Sequence, residues 1–447
     1  MSTGPDWFGE TFQLRLGAPG HGGFCIARHE GRVLFVRHGL PGELVLARVS
    51  EDRGGSFCRA EAIEILEPSP DRVAPNCPVS GPGGAGCCDF SFATPDAQRG
   101  LKAAVVGEQL RRLARWETEV VVEPIPGPID PPRTDTDVSA DIATRKSGAT
   151  RGNVPETGWR TRVRLVVDAA GRAGVHRYRS TEVMTDLLCP QPISGALAGI
   201  ADRTWAPGAE LVIAVDADGL QHIVELAAPA TPRRGGDRRA TAARRAAAHA
   251  RRAERVLSGS GRAVQYVAGR RWEVAATGFW QAHSGAAQCY SDLVAEWADL
   301  DSGSTAWDLY CGAGVFAARL AEQAGPTGSV QGVESSRSAV ADGTAALRDL
   351  PGAHLHADRV ERWIAARTDV PGVVVLDPPR AGAGKQVIAP LAAANPGRII
   401  HIGCDPAAFA RDIGLYRDAG YRVGALRAFD AFPATHHVEC VAMLERK

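Results

Sequence analysis

The sequence has no excess of charge of either sign. Lys and Arg together number 51, and so do Asp and Glu, so the formal net charge of the 447-residue chain is zero. The overall charge therefore does not mark the chain as a nucleic-acid-binding protein, and any basic surface must be local.

Long apolar runs are also missing. No stretch approaches the ~18 uninterrupted apolar residues of a membrane-spanning helix. The first residues, MSTGPDWFGETFQ, lack the basic start and apolar stretch of a secretory signal, so we expect a cytoplasmic protein with no membrane partner. The ten cysteines of such a chain are expected to be thiols, ligands or nucleophiles rather than disulfides.

Short runs of alternating apolar and polar residues fill the N-terminal part of the chain. Residues 10–66 contain RVLFV, ELVLARV and CRAEAIEIL, separated by Gly and Pro. This pattern predicts a small OB-like β-barrel over residues 6–68. Such barrels either bind oligonucleotides or only pack against their neighbours.

The middle of the chain mixes a helical pattern with paired strand patterns. AQRGLKAAVVGEQLRRLARW predicts a helix, and the segments that begin WRTRVRLVV and AELVIAV each predict two strands around a turn. We therefore predict a central α+β domain over residues 70–268. Within it, residues 123–157 are rich in Pro, Thr, Asp and Gly and are predicted to be a flexible insertion. The Ala/Arg-rich residues 231–255 are either a solvated segment or a contact for phosphates.

From about residue 304, strand and helix patterns alternate, which predicts a doubly wound α/β fold with a parallel sheet. The last two strand patterns, YRVGALRAFD and HHVECVAMLER, are joined only by AFPAT. This link is too short for a crossover helix, so the two strands are predicted to pair antiparallel. A parallel sheet closed by an antiparallel hairpin is typical of class I, Rossmann-like methyltransferases, and we predict this domain over residues 270–447.

The first turn of this sheet carries the motif DLYCGAGVF at residues 308–316. Gly312 and Gly314 allow a tight turn and a close approach of the backbone to a ligand. Glu334 ends the next strand, where a carboxylate accepts hydrogen bonds from ribose hydroxyls. These features predict a nucleoside cofactor without separating NAD from S-adenosylmethionine, and the final hairpin favours the methyl donor.

The fourth strand ends in LDPPRAG, at residues 376–382. Asp377 is predicted to lie at the carboxyl edge of the sheet, where open α/β sheets bind ligands. The alternative is a rigid strand exit fixed by two prolines. Arg380 occupies the position where amine methyltransferases usually have an aromatic residue, which argues against amine methylation.

The fifth strand ends in a thiol, in RIIHIGCDPAAFARDI at residues 398–413. Asp405 and Pro406 are a good N-cap and a good first helical residue, so a helix is predicted over 406–419. Cys404 just before it is expected to feel the positive end of the helix dipole, which would lower its pKa, with Asp405 opposing the shift. The thiol is either a nucleophile or core filler.

The last strand contains a carboxylate between apolar residues. Glu439 lies between Val438 and Cys440, a costly position unless the carboxylate is paired or used. Burial would raise its pKa, as a general base requires. The alternative is an ion pair with Arg380 or Arg411. The preceding His436 and His437 are interpreted as a polar strand entrance rather than metal ligands.

Together these motifs resemble the RNA 5-methyluridine (uracil-C5) methyltransferase family. The match runs through TGFWQAHS, DLYCGAGVF, GVE, LDPPRAG, IGCDPAAFARDI and DAFPATHHVECVAMLER, in the order and spacing of the family. The N-terminal barrel looks like the TRAM domain of that family, and the segment beginning WRTRVRLVV looks like its central domain. The resemblance implies that Cys404 is the nucleophile, that Glu439 is the general base, and that S-adenosylmethionine is contacted by Gln281, Tyr310, Glu334 and Asp377.

The resemblance also implies the reaction: methyl transfer from S-adenosylmethionine to C5 of a uridine in RNA. The separate barrel favours 23S rRNA over tRNA as the RNA partner, and no obligate protein partner is evident. Two alternatives stay open. GCDP replaces the SCNP of the family, which suggests an RNA-binding factor with impaired catalysis. The other alternative is a methyltransferase acting on another RNA base or on a small molecule.

Members of this family often hold a 4Fe–4S cluster on a CxxxxxCxxC run and a later cysteine. Here Cys77 is followed by the adjacent Cys87 and Cys88, and Ala85 stands where a ligand is expected. Cys189 matches the distant fourth position. These four cysteines are candidate ligands of a 4Fe–4S cluster, with a structural zinc ion or plain thiols as the alternatives.

Overall fold

The computed structural model of the chain describes residues 6–127, 157–229 and 252–446. Most of the predicted insertion 123–157 and of the Ala/Arg-rich stretch 231–255 lies outside the described residues. Among the described residues, no helix has the length and apolar character needed to cross a membrane.

The N-terminal residues form a six-stranded sheet in the order β1-β5-β6-β4-β3-β2. Its strands are β1 (Thr11–Arg15), β2 (Pro19–Gly20), β3 (Phe24–His29), β4 (Arg32–Arg37), β5 (Leu44–Asp52) and β6 (Phe57–Glu67). The backbone N–H of Leu16 donates to Glu43 at 2.9 Å, and that of Gly17 donates to Ile26 at 2.8 Å. The segment from β1 to β2 thus pairs with β5 at one end and with β3 at the other. The sheet curls on itself, as predicted for an OB-like barrel.

The middle of the chain folds into two antiparallel sheets. The larger has the order β10-β9-β8-β11-β12-β13, and β14 pairs with β15 as a separate hairpin. The strands are β8 (Arg162–Val167), β9 (Ala173–His176), β10 (Val183–Met184), β11 (Glu210–Val215), β12 (Gln221–Leu226), β13 (Glu254–Ser258), β14 (Arg262–Val267) and β15 (Arg270–Ala275). The pairing of β8 with β9 and of β11 with β12 confirms the two predicted strand pairs.

The C-terminal part contains an eight-stranded sheet in the order β18-β17-β16-β19-β20-β22-β21-β7. Its strands are β7 (Val122–Pro124), β16 (Thr305–Leu309), β17 (Ser329–Glu334), β18 (Ala353–Ala357), β19 (Val373–Leu376), β20 (Arg398–Gly403), β21 (Tyr421–Asp430) and β22 (Glu439–Arg446). From β18 to β20 the neighbouring strands are parallel, whereas β22 is antiparallel to both β20 and β21. This topology confirms the predicted parallel sheet with an antiparallel closing hairpin.

Helices cover both faces of this sheet. They are α1 (Pro95–Leu113), α2 (Ala286–Ala298), α3 (Val315–Ala324), α4 (Arg337–Ala346), α5 (Val360–Ala365), α6 (Gly384–Ala394) and α7 (Pro406–Asp418). One apolar core lies under α1, α5, α6 and α7, and a second lies under α2 and α3. Burial of both faces explains why the central strands are continuous apolar runs, such as the fully buried VVVL of β19.

Helix α1 ties the N-terminal half of the chain to this sheet. Thr94 caps it by accepting a hydrogen bond from the Ala97 N–H at 3.4 Å, and α1 packs against α7. The buried ammonium of Lys102 pairs with Asp430 at the end of β21 and donates to the Phe432 carbonyl at 3.1 Å. A buried charge of this kind is tolerated because it is paired and hydrogen-bonded.

Two short strands correct the predicted limits of the insertions. β7 runs from Val122 to Pro124 and so includes the first two residues of the segment 123–157 predicted to be flexible, and β13 begins at Glu254, inside the Ala/Arg-rich stretch. Pro124 concealed β7, because proline fits only an edge strand such as this one. Bidentate bonds from Arg427 to Glu123, at 2.8 and 2.5 Å, hold β7 on β21. The domain limits 6–68, 70–268 and 270–447 stay predictions.

Candidate active site

The carboxyl ends of β16, β17, β19 and β20 meet at one edge of the sheet, where a cavity of about 790 Å³ opens. Seven of the predicted site residues line it: Gln281, Tyr310, Gly312, Glu334, Asp377, Cys404 and Glu439. Gly314 does not line the cavity. Its backbone has a φ of +75°, and a Cβ there would lie 3.1 Å from the Leu355 side chain, so its role is packing.

The turn after β16 forms one wall of the cavity. Tyr310 and Gly312 have φ values of 64° and 55°, and the space beside the Cα of Gly312 is open. Two buried side chains fix the turn. Asp308 accepts a hydrogen bond from the Ala317 N–H at 2.8 Å, and the Trp272 indole donates to the Ala313 carbonyl at 2.9 Å. The open face at Gly312 is where a ligand can approach the backbone closely.

Glu334 stands at the end of β17, as predicted. Its Oε1 accepts hydrogen bonds from the Ser336 N–H at 2.7 Å and from the Ser335 hydroxyl at 2.9 Å. Within the described part of the chain, no residue donates a hydrogen bond to Oε2 of Glu334. The oriented carboxylate therefore has one oxygen to offer to the hydroxyls of a ribose, which fits S-adenosylmethionine.

The segment before α2 carries Gln281 into the cavity. Arg162 of β8 holds this segment by donating to the carbonyls of Ala276 at 3.0 Å and of Gly278 at 2.6 Å. The neighbouring Phe279 and Trp280 also line the cavity, and the Phe279 side chain is highly exposed. Neither ring was predicted as a site residue from the sequence, although two aromatic residues directly before Gln281 are a signal for a stacking surface.

Cys404 follows β20 and precedes α7, as predicted. Asp405 caps the helix through hydrogen bonds from the N–H groups of Ala407 at 3.1 Å and Ala408 at 2.8 Å. The expected lowering of the thiol pKa is wrong. Burial, together with the nearby Glu439 and Asp377, raises the pKa of Cys404 to about 12, against a smaller opposing effect of Arg380. Desolvation and two carboxyl groups outweigh the helix dipole.

Glu439 is buried at the first residue of β22. Burial raises its pKa well above the usual range; Asp377 adds to the shift and Arg380 opposes it. Burial also raises the pKa of Asp377. The alternative of an ion pair is not realised within the described part of the chain. Arg411 instead donates to the Ala381 carbonyl at 2.5 Å.

The two histidines before β22 have different surroundings. His437 lines the cavity, 3.4 Å from the Arg380 guanidinium, and burial lowers its pKa to about 3. The His436 ring nitrogen lies 2.6 Å from Asp89, whose other oxygen accepts a hydrogen bond from Arg37 of the barrel. His437 is therefore a neutral part of the cavity wall, and His436 links it to the N-terminal half of the chain.

The four cysteines proposed as cluster ligands lie near one another. Cys77 and Cys87 lie close enough to Cys88 to raise the pKa of its thiol, and Gln191 donates to the Cys88 sulfur at 3.3 Å. Cys189 is also near this group, since the charge of Cys77 adds to the effect of burial in raising the pKa of Cys189. Across the described ranges, however, no group of three or more His, Cys, Asp or Glu side chains is arranged to hold a metal ion. As placed, these four cysteines are free thiols and do not form a ligand group for a cluster.

Comparisons with known proteins bear on both ends of the chain. The sequence matches the family model of tRNA (uracil-5-)-methyltransferases over residues 366–447 and the TRAM domain over residues 8–63. An uncharacterized RNA methyltransferase of Streptomyces avermitilis is 42% identical over 448 residues, which cover 98% of each chain. A 23S rRNA (uracil(1939)-C(5))-methyltransferase RlmD of Alkalilimnicola ehrlichii is 29% identical, over 98% of this chain and 97% of that protein.

A solved structure extends the likeness to the whole fold. The Pyrococcus abyssi tRNA (uracil-54, C5)-methyltransferase, in complex with S-adenosyl-L-homocysteine, matches with a TM-score of 0.67 at 18% identity. The match covers 97% of this chain and 100% of that one. The fold and the cavity thus define a class I methyltransferase that uses S-adenosylmethionine. More particularly, the chain belongs to the RNA uracil-C5 methyltransferase family and carries a TRAM domain.

Proposed function

We propose that this enzyme methylates C5 of a uridine in 23S rRNA by covalent catalysis through Cys404. The observation that carries the proposal is the shared cavity. A thiol, the buried Glu439 carboxyl group, the half-buried Asp377 carboxyl group and the other predicted donor-binding residues converge at one edge of the sheet. Cys404 is the nucleophile, Glu439 is the general base, and Gln281, Tyr310 and Glu334 hold the methyl donor together with Asp377.

The chemistry requires a nucleophile because C5 of uracil is too weakly nucleophilic to take a methyl group directly. The Cys404 thiol passes its proton to water, and the resulting thiolate bonds to C6, which gives an enolate that extends over C5, C4 and the C4 oxygen. C5 then attacks the methyl carbon, and the bond from that carbon to the donor sulfur breaks. Glu439 takes the proton from C5, and the C6–S bond breaks to release the product.

Burial of the two catalytic groups has opposite consequences for these steps. A raised pKa makes the ionised Glu439 a stronger base for the C5 proton. The raised pKa of Cys404 keeps the free enzyme in the thiol form, so the thiolate forms only in the assembled complex. S-Adenosylmethionine supplies the methyl group on a positively charged sulfur, and a positive charge nearby favours a thiolate.

RNA is expected to reach the cavity with its target base turned out of the stack. Phe279 and Trp280 at the cavity mouth are suited to stack on bases, and the barrel would hold the surrounding RNA. The preference for 23S rRNA is supported by the relative from Alkalilimnicola ehrlichii, which aligns along nearly its whole length. An rRNA substrate agrees with the cytoplasmic location predicted from the sequence.

The decisive experiment offers methyl-labelled S-adenosylmethionine with unmodified 23S rRNA, and with tRNA in a parallel reaction. We expect label in 23S rRNA that is recovered as 5-methyluridine. Label recovered only from tRNA would refute the choice of RNA, and label on another base would refute the C5 chemistry. RNA that is retained without label would support the binding factor with impaired catalysis.

A 4Fe–4S cluster on Cys77, Cys87, Cys88 and Cys189 has no part in this mechanism. The resemblance predicts it, but in the described part of the chain these thiols do not form a group that could hold a metal. The iron content and visible absorbance of anaerobically purified protein test whether a 4Fe–4S cluster is present. A brown protein with about four irons per chain would require these loops to rearrange around the metal.

A further inference from the structure

A loop of the N-terminal barrel reaches the start of the helix that follows Cys404. His21 lies just after β2, and its Nε2 is 3.2 Å from Oδ2 of Asp405. At Gly23, the other end of the loop packs closely against neighbouring side chains. Gly23 has a φ of +80°, and a Cβ there would lie 3.2 Å from the Asp89 side chain and 3.3 Å from that of His436. The contact therefore belongs to a packed junction between the barrel and the active-site segments.

Asp405 is held from both sides. Its Oδ1 accepts the two N–H groups at the start of α7, and its Oδ2 faces His21. The side chains of His21 and Asp405 are 38% and 28% exposed, so solvent screens the pair only in part. The hydrogen bond to Asp405 raises the pKa of His21 above its usual value. Although burial opposes it, the bond from His21 also helps to hold the pKa of Asp405 below its usual value.

The charges around the thiol explain why this pair matters. In addition to burial, Glu439 and Asp377 raise the pKa of Cys404 from the cavity side, and Arg380 has the opposite effect on this pKa. Asp405 is the next residue in the chain. Its charge adds to the effect of burial in raising the pKa of Cys440, which lies behind the Cys404 thiol. His21 is the cationic group that faces Asp405 from the barrel. An unpaired carboxylate next to Cys404 would further disfavour the thiolate.

We infer that His21 is a positioning residue for methyl transfer: it pairs with Asp405, offsets its charge and fixes the Cys404 turn at the start of α7. The inference rests on the proposed role of Cys404 as nucleophile. According to this inference, the barrel contributes to methyl transfer through His21, in addition to any role in binding RNA. It also explains how the chain uses GCDP, since the aspartate is matched by a histidine from a distant domain.

The test is a double-mutant cycle with His21→Ala and Asp405→Asn in the full-length enzyme. Asparagine is as good an N-cap as aspartate, so Asp405→Asn keeps the helix start and removes only the charge. Two quantities are measured for each variant: kcat for RNA methylation, and the rate at which iodoacetamide labels Cys404, followed by mass spectrometry. The second readout needs no methyl transfer.

His21→Ala is expected to lower both quantities by about threefold to fivefold, the effect of a partly exposed ion pair, with KM for S-adenosylmethionine unchanged. In the Asp405→Asn background the same change should have almost no further effect. His21→Gln, which retains an N–H donor without the charge, should fall between His21→Ala and the wild type. It also replaces His21→Ala in the cycle if the alanine variant unfolds.

The pH profile separates this role from a purely structural one. The His21 charge is present below its raised pKa and is lost as the pH rises through that value, so the labelling advantage of the wild type over His21→Ala should disappear at high pH. A defect of His21→Ala that is equal in both backgrounds, or independent of pH, would overturn the inference. Failure of the proposed function is seen separately, as methylation that persists in Cys404→Ala.

Discussion

Gly403 pairs with Cys440 across the antiparallel ladder of β20 and β22. Continuing that register by one residue brings Cys404, which follows β20, beside Glu439, which begins β22. The effect of Glu439 on the Cys404 pKa agrees with this placement. One strand pairing thus brings together the proposed nucleophile and the proposed base from distant parts of the sequence.

Replacing the nucleophile should separate binding from chemistry. Cys404→Ala is expected to reduce methylation of 23S rRNA to background, because the variant lacks the thiol proposed to add to C6 and activate C5. Calorimetric binding of S-adenosylmethionine should be unchanged within about twofold, since the thiol is not among its proposed contacts. Cys440→Ala is the matched control, because this neighbouring thiol is fully buried in β22 and does not line the cavity. Methylation by Cys404→Ala at the wild-type rate would remove the thiol from the mechanism.

Replacing the base should trap the covalent intermediate. Glu439→Gln keeps the size of the side chain but cannot take the C5 proton, so turnover should fall by about 10²–10⁴-fold. The methylated RNA should remain attached to Cys404 and appear as a slowly migrating band on a denaturing gel. The double variant Cys404→Ala/Glu439→Gln provides the control and should give no such band. Absence of the band in the single variant would assign the base to another residue.

The reactivity of Cys404 should depend steeply on pH. Because its pKa is raised to about 12, the thiol should be labelled slowly by iodoacetamide near neutrality, and the rate should rise about tenfold per pH unit. S-Adenosylmethionine should accelerate labelling relative to S-adenosylhomocysteine, which has no positive charge. Fast labelling of the free enzyme that does not change with pH would show that the thiol is already ionised.

The two glycines of the turn after β16 should respond differently to alanine. Both have positive φ, so each variant carries a backbone strain of about 1–2 kcal/mol. The Cβ of Gly314→Ala would also press on Leu355, whereas that of Gly312→Ala would enter open space in the cavity. Gly314→Ala should therefore lower the melting temperature more, and Gly312→Ala should weaken S-adenosylmethionine binding more. Equal losses of affinity in the two variants would contradict the placement of the donor against Gly312.

The buried pair between α1 and β21 should be important for stability. Lys102→Met leaves Asp430 buried without its main partner, and the free energy of unfolding should fall by about 3–5 kcal/mol. Lys102→Met/Asp430→Leu removes both charges and should recover much of the loss. Urea unfolding measures both variants. A single variant as stable as the wild type would show that the pair is accessible to water.

Local sequence predicted the elements that local interactions determine. The Asp405 cap, the start of α7 at Pro406 and the closing hairpin all follow from a few neighbouring residues, and all three are confirmed. The Cys404 pKa was predicted wrongly because it depends on burial in the folded chain and on two carboxyl groups, Glu439 and Asp377, from other parts of the sequence. The contact of His21 with Asp405 had no signal in either segment alone, because it exists only once the barrel has docked.

The long-range contacts of helix α1 and strand β7 affect when the catalytic sheet can form during biosynthesis. Glu123 lies 304 residues before its partner Arg427, and Lys102 lies 328 residues before Asp430. Both early residues leave the ribosome long before the strand that they join has been made. Lys102 and β7 can take their places on the sheet only after β21 has been synthesised. The sheet is therefore expected to be completed only after β21 has left the ribosome, and a fragment that starts after β7 would have an unprotected edge at β21.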